Sequence, residues 1–174
     1  MMELSGKKIA VLAEDQYEDM ELWYPFYRLK EAGAEVTVIG PQGGVEYKSK
    51  HGYPVKTDAA AADVDPAQFD AVVIPGGYAP DRLRRYRSVL DLVAKIDANG
   101  GVVAFVCHAG WVPISAGIVK GKRVTSVNAI RDDLVNAGAV WVDEEAVIDG
   151  RMVTSRSPAD LPAFCRAIIR VLGA

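Results

Sequence analysis

The chain has 174 residues, of which 50% are apolar, and this suits one domain with a sizeable core. Its 20 basic and 23 acidic side chains give a net charge of -3, and the chain has no polybasic run, so we expect neither a nucleic-acid nor a membrane partner. Two cysteines are too few for a disulfide framework and no apolar run suits a signal peptide, so we expect one cytoplasmic domain, 1–174.

Short apolar runs alternate with helical patterns along the chain. The apolar runs predict strands over 8–13, 35–39, 71–74, 102–106 and 123–127. The helical patterns predict helices over 18–32, 80–98, 130–137 and 158–172, and one that follows Cys107 to about Ile118. Among the remaining segments we predict a small β excursion over 45–55, a connector or single helical turn over 59–62, and one or two strands over 140–154.

The first four predicted strands are near-continuous hydrophobic runs, which is typical of strands buried on both faces. Their alternation with helices predicts an α/β fold, with a doubly wound, mainly parallel sheet sandwiched by helices. Sites in such sheets form at the carboxyl ends of the strands, here at residues 14–21, 75–81 and 107–111. The first of these turns has no glycine and several carboxylates, so we expect no nucleotide cofactor. With two histidines and two cysteines in the whole chain, we expect no metal either.

Cys107 follows a buried strand directly and is followed by a predicted helix, an arrangement typical of a nucleophile elbow. A helix N-terminus stabilises a thiolate, so we expect the pKa of this thiol to fall well below neutrality. The alternative is that Cys107 is a small core residue. Cys165 differs, because it lies in the apolar stripe of the last predicted helix and is interpreted as packing.

His108 is the candidate base for Cys107, although adjacent side chains meet only where the backbone turns sharply, and it could instead only tune the local charge. His51 lies in a turn-rich segment and is predicted to be inert. Glu21 stands among large apolar side chains and is either a buried acid beside the thiol or a solvated helix residue. The backbone N–H groups of Gly77 and His108 could form an oxyanion hole, although Pro75-Gly76-Gly77 also suits a plain turn.

Motifs along nearly the whole chain resemble those of the ThiJ/PfpI superfamily, particularly its PfpI intracellular-protease branch, which is related to the Parkinson-disease-linked protein deglycase. The matching segments are Tyr17-Glu18-Asp19-Met20-Glu21-Leu22, Tyr24-Pro25, Arg28-Leu29-Lys30-Glu31, Lys50-His51-Gly52-Tyr53, Pro75-Gly76-Gly77, Cys107-His108, Ile114-Ser115-Ala116-Gly117, Asp132-Asp133, Asn136-Ala137-Gly138 and Thr154-Ser155-Arg156. The resemblance implies a flavodoxin-like sandwich, similar to class I glutamine amidotransferases, and an enzyme without a cofactor.

The resemblance also implies roles for four side chains. Cys107 is the nucleophile, Glu21 the buried acid beside it, and His108 the catalytic partner. In the PfpI branch an acid of a neighbouring subunit orients that histidine, and Asp81 occupies the matching position, where relatives commonly carry Glu. We therefore expect a homo-oligomer, a dimer or hexamer, although Asp81 could merely cap its helix and neutralise nearby arginines.

A second departure from the family pattern follows the cysteine, where Ala109-Gly110-Trp111 replaces the usual Gly-Pro after Cys-His. The activities that the resemblance implies are deglycase or glyoxalase chemistry on reactive aldehydes or their protein adducts, and intracellular peptide hydrolysis. We favour small aldehydes, because a tight turn beside a tryptophan leaves little room for a polypeptide. The alternative is a redox-sensing stress protein or chaperone in which Cys107 is oxidised without turnover.

Overall fold

In the computed structural model, which describes residues 2–174, the chain forms eleven β-strands and six α-helices. The strands are β1 (Lys8–Leu12), β2 (Glu35–Gly40), β3 (Glu46–Lys48), β4 (Pro54–Lys56), β5 (Ala59–Ala60), β6 (Ala71–Ile74), β7 (Val102–Val106), β8 (Arg123–Val124), β9 (Val140–Trp141), β10 (Val147–Asp149) and β11 (Met152–Ser155). The helices are α1 (Asp19–Glu31), α2 (Ala79–Leu83), α3 (Arg87–Ala98), α4 (Trp111–Ser115), α5 (Arg131–Asn136) and α6 (Leu161–Gly173).

Seven strands form one central sheet in the order β10-β11-β7-β6-β1-β2-β5. Its pairs are parallel except for β10 with β11, which is antiparallel. Strands β6 and β7 are buried at every position, as expected of parallel strands covered by helices on both faces. The predicted fold class, a mainly parallel sheet flanked by helices, is confirmed. The predicted β excursion is also present, as the antiparallel pair β3–β4.

The alanine-rich segment 59–62 is not a connector or a helical turn, because its first two residues form the edge strand β5 beside β2. Hydrogen bonds immediately before it explain the extended backbone. The N–H of Asp58 donates to the carbonyl of Val38 at 2.8 Å, and the N–H of Val38 donates to the Asp58 carboxylate at 2.8 Å. This reciprocal pair aligns the chain with β2 before the alanines begin.

The helix predicted over 80–98 is divided into α2 and α3 by an extended residue, Tyr86, at φ -95° and ψ 113°. The division has a packing reason. Leu83 and Val89 are both fully buried, yet six positions apart on one continuous helix they would point about 120° away from each other. Breaking the helix lets both side chains enter the core. Among residues 2–174, no helix combines the length and the apolar character needed to cross a membrane.

The segment after Cys107 also differs from the prediction. A 3₁₀ turn, Cys107–Gly110, comes first, and the α-helix that follows it is only five residues long. The predicted strand 123–127 is likewise shorter, since only β8 (Arg123–Val124) pairs with a neighbour, β9. The carboxyl ends of β1, β6 and β7 nevertheless lie side by side in the sheet, as the prediction of the site required.

Candidate active site

Cys107 occupies a strained turn at the end of β7. Its φ is +61°, a left-handed value that residues other than glycine rarely adopt, and the 3₁₀ turn begins at the same residue. Such a conformation costs on the order of 1 kcal/mol or more and persists only where the surrounding structure enforces it. Here β7 is buried from Val102 to Val106, so the strand fixes where the turn begins. The predicted nucleophile elbow is therefore present in the backbone.

The same turn brings two adjacent side chains together. Cys107 Sγ and His108 Nδ1 are 3.3 Å apart, a contact that consecutive residues make only with an unusual backbone. Burial, and then the charge of Lys50, lower the pKa of His108 below its ordinary value of 6.5. The imidazole is consequently neutral at physiological pH, and a neutral Nδ1 can accept the thiol proton.

Glu21 is the buried acid of the site and not a solvated helix residue. Its side chain is fully inaccessible, and Oε2 accepts the N–H of Gly76 at 2.7 Å. The other oxygen, Oε1, has no hydrogen-bond partner among residues 2–174. Burial, and then the nearby charge of Glu18, raise the pKa of Glu21 to about 7. Glu21 can therefore hold or release a proton near neutral pH.

Gly76 allows Glu21 and Cys107 to approach each other, and Gly77 allows the same segment to pack against the backbone of Tyr17. A Cβ at Gly76 would collide with Glu21 Oε2 and come within 2.9 Å of Cys107 Cβ. Gly77 has a φ of +78°, and a Cβ there would lie 2.8 Å from the backbone of Tyr17. The Pro75-Gly76-Gly77 segment is thus more than a plain turn, because a side chain at Gly76 would force the acid and the thiol apart, and one at Gly77 would force the segment away from the backbone of Tyr17.

The two backbone N–H groups predicted for an oxyanion hole act on the sulfur in the free protein. Hydrogen bonding from the N–H groups of His108 and Gly77 lowers the pKa of the Cys107 thiol. Burial, the largest influence, and the charge of Glu21 act in the opposite direction and raise that pKa to about 12. The expectation of a thiol pKa well below neutrality is therefore wrong. The reasons are the burial of the sulfur, the adjacent acid, and a helix too short to supply a strong dipole.

Eight residues line a cavity of about 220 Å³ around the thiol, which we call the Cys107 cavity: Glu18, Glu21, Lys50, Gly77, Tyr78, Cys107, His108 and Pro158. Sequence reasoning did not assign Lys50 or Glu18 to the site. Glu18 has a detectable sequence signal, because it stands three residues before Glu21 at a helix start and its carboxylate accepts the Glu21 N–H at 2.9 Å. Lys50 has no such signal, since only the fold of the segment around β3 and β4 brings it to the cavity.

Asp81 lies apart from His108 within one chain. Its side chain is half exposed and forms an ion pair with Arg85, one turn later on the chain. It sits in the first turn of α2, whose N-cap is Tyr78, so it neutralises an arginine but does not cap the helix. Asp81 instead lines a neighbouring cavity of about 420 Å³ with Tyr78 and Trp111. Contact between Asp81 and the His108 of another subunit stays a prediction.

Trp111 stands beside the base, with its ring centroid 5.5 Å from that of His108. Its Nε1–H donates to Asp133 at 2.7 Å, and the guanidinium of Arg84 lies 5.7 Å from the centre of its ring. These contacts hold a bulky side chain directly after Ala109-Gly110, the two residues that stand where the family pattern has Gly-Pro. Ala109 is fully buried.

Cys165 and His51 lie outside the Cys107 cavity. Cys165 is 1% exposed in α6, as predicted for a packing residue, and burial raises its pKa to about 12. His51 lies in a surface turn, also as predicted, and its side chain contacts a carboxylate. Its Nδ1 is 2.7 Å from Asp19 Oδ2, so it helps to fix the turn that carries Lys50.

Comparison with known proteins assigns the chain to a family. The model of the DJ-1/PfpI family matches residues 7–171. The chain is 45% identical over 165 residues to "Deglycase PfpI" of Pyrococcus furiosus, covering 95% of this chain and 99% of that protein. It is 43% identical to "Putative cysteine protease YraA" of Bacillus subtilis, covering 96% and 99%. The crystal structure of Drosophila melanogaster DJ-1beta superposes with a TM-score of 0.90 at 31% identity, covering 97% and 92%. From its sequence and from the fold around Cys107, the chain belongs to the DJ-1/PfpI family.

Proposed function

We propose that the chain is a cofactor-independent cysteine enzyme that converts small reactive aldehydes, or their adducts on proteins, into hydroxy acids. The observation that carries the proposal is the contact between Cys107 Sγ and a neutral His108 Nδ1, beside the buried acid Glu21. The relatives named as deglycase and as cysteine protease support a PfpI-type enzyme in general. The volume of the Cys107 cavity, about 220 Å³, favours a small aldehyde over a polypeptide.

The first step uses the thiol and its base. Because the pKa of Cys107 is raised, the sulfur attacks as its proton passes to His108 Nδ1, and no free thiolate accumulates beforehand. A carbon–sulfur bond forms, the carbonyl π bond breaks, and its electron pair moves to oxygen. The N–H groups of Gly77 and His108 stabilise that oxyanion, which then takes the proton from His108 to give a hemithioacetal.

The next steps use the acid. With methylglyoxal as substrate, ionised Glu21 accepts the proton of the carbon bonded to sulfur and returns a proton to the neighbouring carbon. The hydroxyl proton of the first carbon passes to the oxygen of the second, which gives a lactoyl thioester. A pKa of about 7 suits a group that must both accept and donate. Water then hydrolyses the thioester and restores the thiol. Methylglyoxal and one water become lactate, and the balance needs no external oxidant or reductant.

The neighbouring subunit completes this proposal. A base that accepts the Cys107 proton is steadied by an acceptor on its other ring nitrogen. The proposed acceptor is Asp81 of a second copy, in a homo-oligomeric dimer or hexamer. Asp81 suits that role because it is half exposed and lines a cavity that shares Tyr78 with the Cys107 cavity. The redox-sensor alternative receives less support, since a raised thiol pKa slows oxidation.

The test measures lactate from methylglyoxal, and free amine from the methylglyoxal adduct of N-acetyl-lysine, with purified protein. Wild type and Cys165→Ala should turn over, whereas Cys107→Ala should fall to the rate of the buffer. An unstructured peptide should stay intact over the same period. The proposal is wrong if wild type forms no lactate, or if Cys107→Ala forms it as fast as Cys165→Ala does.

A further inference from the structure

We propose that Lys50 is a substrate-binding residue that selects carbonyl compounds carrying a carboxylate, such as the aldehyde adducts of free amino acids. Among residues 2–174, Lys50 is the one cationic side chain that lines the Cys107 cavity. An electrophile whose carbonyl lies at the sulfur can place an anionic group toward this ammonium, because both line the same cavity of about 220 Å³. The substrate class rests on the proposed function, whereas the test below does not require turnover.

The backbone around Lys50 is fixed by a compact hydrogen-bond network. Asp19 accepts Ser49 Oγ–H at 2.6 Å and faces His51 Nδ1 at 2.7 Å. Ser49 Oγ in turn accepts the N–H groups of His51 at 3.1 Å and Tyr53 at 3.0 Å. The lysine between them is therefore presented by a rigid turn, although no other part of the proposed mechanism uses this network.

The same turn is tied to the residues of the active site. The N–H of Lys50 donates to the carbonyl of Tyr17 at 3.0 Å, and Tyr17 also forms bridges with Ser49 and Gly77. Tyr17 is fully buried, and its hydroxyl donates to the carbonyl of Tyr53 at 2.7 Å. Lys50 is thus held at a set position relative to the backbone that supplies the oxyanion donor.

The ammonium itself is free to bind a ligand. Its charge partner is Glu18, with Lys50 Nζ 3.9 Å from Glu18 Oε1, which is too far for a hydrogen bond. Within the described chain, 2–174, no acceptor takes the lysine's N–H groups. The side chain is 34% exposed, so an anion entering from solvent can reach it. The charge of Lys50 also acts on both His108 and Glu21, whose pKa values it lowers.

The other charges of the cavity make Lys50 decisive for an anion. Two acids, Glu18 and Glu21, also line it, so the cavity has no positive charge to offset them once the ammonium is removed. With Lys50 present, a carboxylate has a cation at close range and loses little by leaving water. Without Lys50, the same carboxylate meets only like charges and the neutral His108. Loss of Lys50 should therefore slow the reaction of an anionic electrophile with Cys107 more than that of a neutral one.

The experiment compares two alkylating agents of nearly equal size, anionic iodoacetate and neutral iodoacetamide, on Cys107. Both react with the same thiolate, so the ratio of their rate constants cancels any change in thiol pKa. The ratio should fall about three- to tenfold in Lys50→Met, as expected for one charge at a few ångström, and recover in Lys50→Arg. The matched control is Lys48→Met, an exposed lysine two residues away, which should keep the wild-type ratio.

Thermal unfolding of each variant shows whether the fold is intact, and the Lys50→Arg variant separates charge from packing. An unchanged ratio in Lys50→Met overturns the proposal, and so does an equal fall in Lys48→Met, which would indicate a general surface-charge effect. If wild type forms no lactate from methylglyoxal but the ratio still depends on Lys50, the proposed function fails while the anion-binding role stands.

Discussion

Replacing Glu21 by Gln should stabilise the folded protein at neutral pH. The fully buried carboxyl has a pKa of about 7 in the folded state, against 4.5 as the ordinary value. Because the folded-state pKa is raised, the contribution of Glu21 to stability is fully present below pH 4.5 and is lost as the pH rises through 7. Wild type therefore becomes less stable over this range for a reason that the Gln variant does not share.

The magnitude follows from the two pKa values. At about 1.4 kcal/mol per pKa unit, ionising Glu21 costs the fold about 3 kcal/mol by pH 7. Gln is nearly isosteric with the protonated acid, and its carbonyl can still accept the Gly76 N–H. The free energy of unfolding of the Gln variant should accordingly exceed that of wild type by about 3 kcal/mol at pH 7, and by close to nothing at pH 4.

Urea unfolding followed by tryptophan fluorescence at pH 4, 5.5 and 7 measures both curves. Glu46→Gln serves as the matched control, because Glu46 is an exposed carboxylate on β3 and its loss should leave the pH dependence of wild type unchanged. If the Glu21→Gln protein is only as stable as wild type at pH 7, or less stable, the fold does not penalise the buried carboxyl and the reasoning from desolvation is refuted.

Three further predictions concern the thiols and the subunits. Iodoacetamide at pH 8 should label Cys107 at least tenfold faster than Cys165, because Cys107 lines a cavity whereas Cys165 is 1% exposed; peptide mapping that finds equal labelling contradicts this. Glu21→Gln should lower the pKa of Cys107 by about one to three units, because a like charge is removed, and an unaltered pH profile of alkylation would exclude the coupling. Cys107→Ala and Asp81→Ala should each be inactive and regain part of the activity when co-assembled; a fully active monomer by light scattering, or wild-type turnover in Asp81→Ala, would remove Asp81 from the site.

The strands of the sheet were predictable because buried strands have uninterrupted apolar runs. Residues 71–74 and 102–106 match β6 and β7 in both bounds. Elements whose form depends on tertiary contacts were not predictable in the same way. The edge strand β5 exists because Asp58 is hydrogen-bonded to Val38, and the division between α2 and α3 exists because two distant side chains must both be buried.

The site shows the same distinction. The place of Cys107 at a strand end follows from local sequence, whereas its contact with His108 was only one of two alternatives until the left-handed turn was seen. The burial of Glu21 against Gly76 could be suggested by its apolar neighbours, but only the fold brings the two together. The direction of the thiol pKa was predicted wrongly, because the sequence signals a helix start and says nothing of how deeply the sulfur is buried or which acid lies beside it.

The left-handed backbone at Cys107 has a consequence for stability as well as for chemistry. Glycine adopts a φ of +61° without penalty. Cys107→Gly should therefore relieve the backbone strain at this position, whereas Cys107→Ala should not. The fold therefore favours glycine at this point, and the need for the side chain opposes that preference. The difference in unfolding free energy between Cys107→Gly and Cys107→Ala therefore measures what this fold loses by holding a side chain at a left-handed position.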